Sequence, residues 1–176
     1  FWFGHGSGGL WKTEDAGTYW IPVGEGQFNY ASVGAMAISE KNPDIMYVGL
    51  GEPQMRQSVS WGDGVYKSTD GGETWENVLS DGPYTGVNEM VMDPRNPDVM
   101  YVTDAWAGAF KSLDGGASWF PINNGMTARV GPSGDGIPVF SLTIDPNNPD
   151  TLWAGTQFGG GVFRSDDAGQ SWRSMS

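Results

Sequence analysis

The 176 residues are long enough for one domain with a substantial core, and nine Trp within a 13% aromatic share supply the bulk to fill it, which excludes a disordered chain. Gly at 28 and Pro at 11 fall between regular apolar segments, so they mark the tight turns of an all-β chain rather than a flexible polymer. With 21 acidic against nine basic residues the formal charge is −12, which repels phosphate backbones and anionic membrane surfaces, and the absence of Cys removes disulfides, thiolate nucleophiles and Cys-ligated zinc.

In chain order, the opening Phe1-Trp2-Phe3 carries neither an initiator Met nor a basic n-region and reads as a mature or excised segment. A first strand, Gly9 to Thr13, runs into Thr13-Glu14-Asp15-Ala16-Gly17-Thr18-Tyr19-Trp20. A longer unit follows over 33–79. Strand A spans Val33 to Ser39, a turn lies at Lys41-Asn42-Pro43-Asp44, strand B covers Ile45 to Val48, and strand C covers Gly64 to Ser68. The unit closes on Ser68-Thr69-Asp70-Gly71-Gly72-Glu73-Thr74-Trp75.

The pattern recurs over 87–122: strand A from Val87 to Met92, a turn Arg95-Asn96-Pro97-Asp98, strand B from Val99 to Val102, strand C from Ala109 to Ser112, and Ser112-Leu113-Asp114-Gly115-Gly116-Ala117-Ser118-Trp119. It recurs again over 139–176, with strand A at Val139 to Ile144, the turn Asn147-Asn148-Pro149-Asp150, strand B at Thr151 to Ala154, strand C at Gly161 to Ser165, and Ser165-Asp166-Asp167-Ala168-Gly169-Gln170-Ser171-Trp172. Pro fixes φ and the Asx side chains bond their own backbone in such turns. The closing hairpins start at 13, 68, 112 and 165, and a four-stranded antiparallel unit repeating at that interval predicts a β-propeller. The segment over 1–23 supplies only part of a blade. No strand remains after Trp172 to complete it, so a partial propeller of about three full blades plus part of another is expected.

Each closing hairpin has the form Ser/Thr-x-Asp-x-Gly-x-x-Trp. Glycine supplies positive φ, the Asp carboxylate is expected to be buried and to accept backbone N–H groups inside the turn, and the Trp is expected to cover the turn. Asp15, Gly17 and Trp20, Asp70, Gly72 and Trp75, Asp114, Gly116 and Trp119, and Asp167, Gly169 and Trp172 are therefore read as structural, because a catalytic group has no reason to recur in every blade. No phosphate-loop pattern follows, and His5 stands alone, so neither a cofactor nor a metal site is read.

The hairpin resembles the BNR or Asp-box repeat. Gly8-Gly9-Leu10-Trp11-Lys12-Thr13, Val48-Gly49-Leu50-Gly51-Glu52 and Ser60-Trp61-Gly62-Asp63-Gly64-Val65-Tyr66-Lys67-Ser68 are similar to large bacterial BNR-repeat proteins related to sortilin-type propellers. The resemblance covers essentially the whole chain and implies the fold. It also implies a choice of activities: sialidases, xyloglucan-cleaving glycoside hydrolases, photosystem II assembly factors or peptide receptors. In these the box lies away from the ligand face. The Arg-Ile-Pro motif of sialidases does not occur among Arg56, Arg95, Arg129, Arg164 and Arg173.

In a meander the A–B turn and the box share one edge, and the B–C and D–A loops share the other. The lengths that vary between blades belong to the B–C loop Glu52 to Asp63 and the D–A loop Asn123 to Pro138, so the second edge is expected to carry function. It presents Glu52, Gln54, Arg56, Trp61, Asp63, Tyr84, Asp104, Trp106, Gln157 and Phe158 as candidate ligand contacts, with Asp81, Arg129 and Asp135 nearby. Aromatics among carboxylates and amides suit stacking on sugars with hydrogen bonds to hydroxyls. Packing over the propeller edge is the alternative for Trp61 and Trp106. Glu52 and Asp104 are the candidate catalytic carboxylates, since glycoside hydrolysis needs two about 5 to 9.5 Å apart.

The expected function is a non-catalytic binding or scaffold propeller of an extracytoplasmic or secreted protein, with a glycan or polypeptide ligand and the remaining blades of the parent chain as partners. No nucleic acid and no membrane insertion are expected. The alternative is a glycoside hydrolase whose carboxylate pair lies partly outside this segment.

Overall fold

A computed structural model of the protein describes residues 1–52, 60–80 and 86–175. Every strand and bridge in it pairs within a small antiparallel meander or beside one, and the chain divides into two compact units, Phe1–Val87 and Asn88–Ser176. The expected partial β-propeller of antiparallel blades is the architecture found.

The first unit holds a three-stranded sheet, β1 (Trp2–His5), β2 (Gly9–Lys12) and β3 (Ile21–Val23), and a four-stranded one, β4 (Val33–Ile38), β5 (Met46–Leu50), β6 (Val65–Ser68) and β7 (Glu76–Leu79). Strand β5 reads Met-Tyr-Val-Gly-Leu and is buried throughout, as a strand covered on both faces must be. Leu10, Val33, Val48, Leu50 and Tyr66 form the core, and Trp2, Phe28, Tyr30 and Trp75 pack against it. The absence of a side chain at Gly4 permits this: a Cβ there would lie 2.4 Å from Val33 Cγ1.

The second unit holds β8 (Val87–Asp93, all but its first residue), β9 (Asn96–Asp104), β10 (Gly108–Ser112) and β11 (Phe120–Pro121), then β12 (Val139–Ile144), β13 (Leu152–Thr156), β14 (Gly161–Ser165) and β15 (Arg173–Ser174). Its core gathers Tyr101, Ile122, Met126, Val139, Leu142, Leu152, Phe163 and Trp172. Strand β9 begins three residues earlier than the sequence suggests, inside the Asn-Pro-Asp turn. Asp93 accepts from both the backbone N–H and the guanidinium of Arg95, which tightens the hairpin and lets the ladder start at Asn96.

The two ends of each meander are chemically different. At one end the A–B turn bonds to the box of its own blade. The carbonyls of Asp44, Asp98 and Asp150 accept the N–H groups of Gly71, Gly115 and Ala168 at 3.0, 2.9 and 2.8 Å. The B–C turns and D–A loops are left to the other end.

Candidate functional site

The boxes share one hydrogen-bonded plan. The first hydroxyl (Thr13, Ser68, Ser112, Ser165) donates to Oδ1 of the box Asp at 2.7 to 2.8 Å and accepts from the box Gly N–H four residues on. Oδ1 also accepts the N–H four residues beyond the Asp. Burial differs from expectation. Thr13, Ser68, Ser112 and Ser165 are buried, whereas Asp15, Asp70 and Asp114 are exposed. A hydroxyl that both donates and accepts satisfies itself inside the turn, while a carboxylate keeps lone pairs that prefer water.

The remaining oxygen, Oδ2, accepts a hydroxyl from Thr74, Ser118 or Ser171 in three boxes. Those hydroxyls, followed by the backbone N–H of the same residue and then the first Ser, hold the carboxyls of Asp70 and Asp114 down at about 2. In the first box Tyr19 replaces that hydroxyl. The Asp15 carboxyl is lowered chiefly by the Tyr19 N–H and then by the Thr13 hydroxyl.

The Trp does not cover every box equally. Trp172 is 5% exposed and donates its Nε1–H to Ile122 O at 2.6 Å, while its N–H reaches Asn124 O. Trp75 and Trp119 donate to their own Gly72 and Gly116 carbonyls and are half-buried, and Trp20 is 41% exposed. Covering therefore comes from the D–A segment of the preceding blade. Phe28 lies 5.4 Å from Trp75, and Gln27 accepts the Trp75 N–H and donates to Glu73 O.

A second repeat escaped the sequence reading. Cross-strand partners on the B and C strands set a cation over an aromatic ring: Lys12 on Trp2, Lys67 on Tyr47, Lys111 on Tyr101 and Arg164 on Trp153, at 5.0 to 5.5 Å. In the second unit Lys111 Nζ and Tyr101 OH also donate to the Ala168 carbonyl of the neighbouring box. The signal was legible as a Lys or Arg one residue before the box Ser or Thr in all four copies.

At the opposite end the loops define the candidate site. In the second unit a cavity of about 280 Å³ is lined by Thr127, Ala128 and Arg129 from the D–A loop and by Gln157, Phe158 and Gly160 from the β13–β14 turn. Phe158 is 60% exposed and sits at φ 59°, a left-handed conformation that a bulky residue rarely adopts. Arg129 donates to the Met126 and Ala128 carbonyls, which stiffens the rim. In the same unit Trp106 is half-buried under the D–A loop. A Cβ on Gly136 would lie 3.2 Å from its ring, and its carbonyl accepts the Ile137 N–H. Asp104 is buried, and its Oδ1 accepts the N–H groups of Trp106 and Ala107, capping the β9–β10 turn.

In the first unit Trp61 is 39% exposed and Glu52 is half-buried, its Oε2 accepting the Ser60 N–H. Asp63 is 8% exposed, and its Oδ2 accepts from Asn29 and Tyr66. Gln54, Arg56 and Tyr84 lie outside the described residues. Glu89 on β8 was not singled out: it is half-buried, and burial pushes its carboxyl above the usual range. The available signal was an acid in mid-strand, followed by Met90, Val91 and Met92.

No family model matches the chain. Among curated proteins it is 24% identical to the oligoxyloglucan-reducing end-specific xyloglucanase of Emericella nidulans over 93% of this chain and 22% of that protein. It is 26% identical to the xyloglucanase of a Paenibacillus species over 96% of this chain and 19% of that protein. Among solved structures, the GH74 xyloglucanase from Xanthomonas campestris superposes with a TM-score of 0.74 at 19% identity, over 99% of this chain and 28% of that one. The chain thus spans about a fifth of the length of the curated relatives it matches. The structural likeness carries the fold and, at that identity, the fold alone.

Proposed function

We propose that the chain is a blade segment of an exported glycoside hydrolase related to the xyloglucanases, and that its B–C and D–A loop end binds a neutral β-glucan. This takes up the alternative in place of a non-catalytic propeller, because the relatives are named for polysaccharide cleavage. The observation that carries the reading is the second unit's loop cavity, where the exposed, left-handed Phe158 stands beside Gln157 and the braced Arg129. An aromatic face stacks on the apolar face of a sugar while amide groups bond its hydroxyls.

Asp104 spends Oδ1 on two backbone N–H groups. This favours a binding role for the segment, with the carboxylate pair completed by residues of the parent chain beyond it. Affinity electrophoresis in xyloglucan gels tests the proposal. The chain is expected to be retarded, and Phe158→Ala to lose most of that retardation without a change in circular dichroism. Unretarded migration of the folded chain in xyloglucan and in other β-glucans would overturn it.

A further inference from the structure

The first unit contains a larger cavity, and none of the candidate ligand residues among the described ones lines it. It measures about 460 Å³ and lies between the β1–β2 turn and the loop after β3, bounded by Trp11, Glu25, Phe28, Asn29 and Tyr30. Those two segments are a B–C turn and a D–A loop, so the cavity opens at the same chemical end of its meander as the Phe158 cavity does in the other unit. Its volume falls within the range of about 300–1,000 Å³ of small-ligand sites.

Part of the lining is glycine. Gly8, Gly9, Gly24 and Gly26 all line the cavity, and a Cβ on Gly9 or Gly26 would meet nothing within 4 Å, so main chain stands open there. The walls are fixed. Trp11 donates its Nε1–H to Gly8 O at 2.7 Å, which locks the indole. Phe28 is wedged between Tyr66 and Trp75, at ring-centroid separations of 5.1 and 5.4 Å.

Asn29 is held from beneath. Its Nδ2 donates to Asp63 Oδ2 at 2.6 Å and to Tyr66 OH at 3.1 Å, and the Tyr66 hydroxyl donates to the same Asp63 oxygen. With its amide hydrogens committed, the carbonyl oxygen of Asn29 is the part left to accept a hydrogen bond. Glu25 stands exposed on the turn closed by Gln27 N–H to Gly24 O, between two glycines at φ 73° and 76°. Among the described residues no Lys or Arg lines the cavity.

We infer that this cavity is a second saccharide subsite, taking one uncharged hexopyranose of a glycan with its ring against Trp11 and its hydroxyls on Glu25 and Asn29. Two acceptors, with no cation among the described lining residues, suit hydroxyl donors over uronic or sialic acids. Prealigned aromatic walls reduce the ordering cost of binding. The inference rests on the glycan reading above but concerns residues that reading does not use.

The test is calorimetric titration of the full chain with a xyloglucan oligosaccharide and, in parallel, with an oligogalacturonate and an unstructured peptide mixture. The neutral sugar is expected to bind and the other two are not. Glu25→Ala, at an exposed turn tip, should weaken neutral-sugar binding about tenfold, and Trp11→Leu should weaken it as much, with the melting temperature of Glu25→Ala unchanged. If Phe158→Ala loses binding while both first-unit variants bind as the parent does, the subsite is overturned and the proposed function stands. If the first-unit variants lose binding and Phe158→Ala does not, the subsite stands and the Phe158 site falls. Binding of the oligogalacturonate or the peptides with loss in Glu25→Ala overturns the sugar assignment.

Discussion

The first and last boxes share one motif and have opposite surroundings. Thr13–Trp20 and Ser165–Trp172 share the hydroxyl, Asp, Gly and Trp, yet Trp20 is 41% exposed and Trp172 is 5% exposed. The difference lies outside the motif. Trp172 is sealed by Ile122, Asn124 and Gly125 of the preceding blade, while Trp20 meets Phe3 edge-on at 6.1 Å. A box is therefore a complete turn but only half of a packing interface.

The largest expected effect sharpens this contrast. Trp172→Ala should cost about 3–5 kcal/mol in urea unfolding of the second unit, and Trp20→Ala less than about 1 kcal/mol. Equal losses would make the Trp intrinsic to the hairpin. Next is Gly125→Ala. Gly125 has φ 91°, and a Cβ there would lie 2.1 Å from the Trp172 carbonyl, so a loss of about 1–3 kcal/mol is expected, with quenching or shifting of Trp emission.

Acid titration tests the boxes as a set. The Asp70 and Asp114 carboxyls are lowered in the folded state to about 2, against about 3.9 unfolded. Their contribution is present above about pH 4 and is lost as the pH falls through 2, so the melting temperature should drop across that window. Thr74→Val and Ser118→Ala should make the drop smaller and end it at higher pH, since its onset is set by the unfolded carboxyls. Tyr101 shifts the other way: burial, its main cause, raises the phenol to about 12. Its ionisation, followed by ultraviolet absorbance, should lag that of an exposed Tyr, and the stability it confers is kept below pH 10 and lost as the pH climbs through 12. The smallest effect belongs to Tyr19→Thr, which restores the missing hydroxyl to Asp15 and should raise the first unit's melting temperature slightly.

The fold was legible because the repeat writes each strand and turn at the same offset from a Trp and an Asn-Pro-Asp, and local rules then suffice. Burial was not. Whether a box Trp is covered depends on Gln27 and Phe28 or on Asn124, residues of another blade that no motif marks. The candidate site was legible as an end of the meander and less so as residues. Gln157 and Phe158 line a cavity, while Asp63 turns inward to Asn29 and Tyr66, which spacing along the chain gives no means to foresee. Glu25, Asn29 and Tyr30 were passed over because their loop is short, and loop length was the signal in use.

The bond from each box Gly N–H to a shielded hydroxyl also gives the protein four reporters of its own opening. Gly17, Gly72, Gly116 and Gly169 each donate to an oxygen that is out of contact with solvent or nearly so. An amide held this way trades its proton for deuterium only when its blade opens. Four exchange rates, read in one experiment, would rank the blades by local stability, with Gly17 the first to exchange and Gly169 the last.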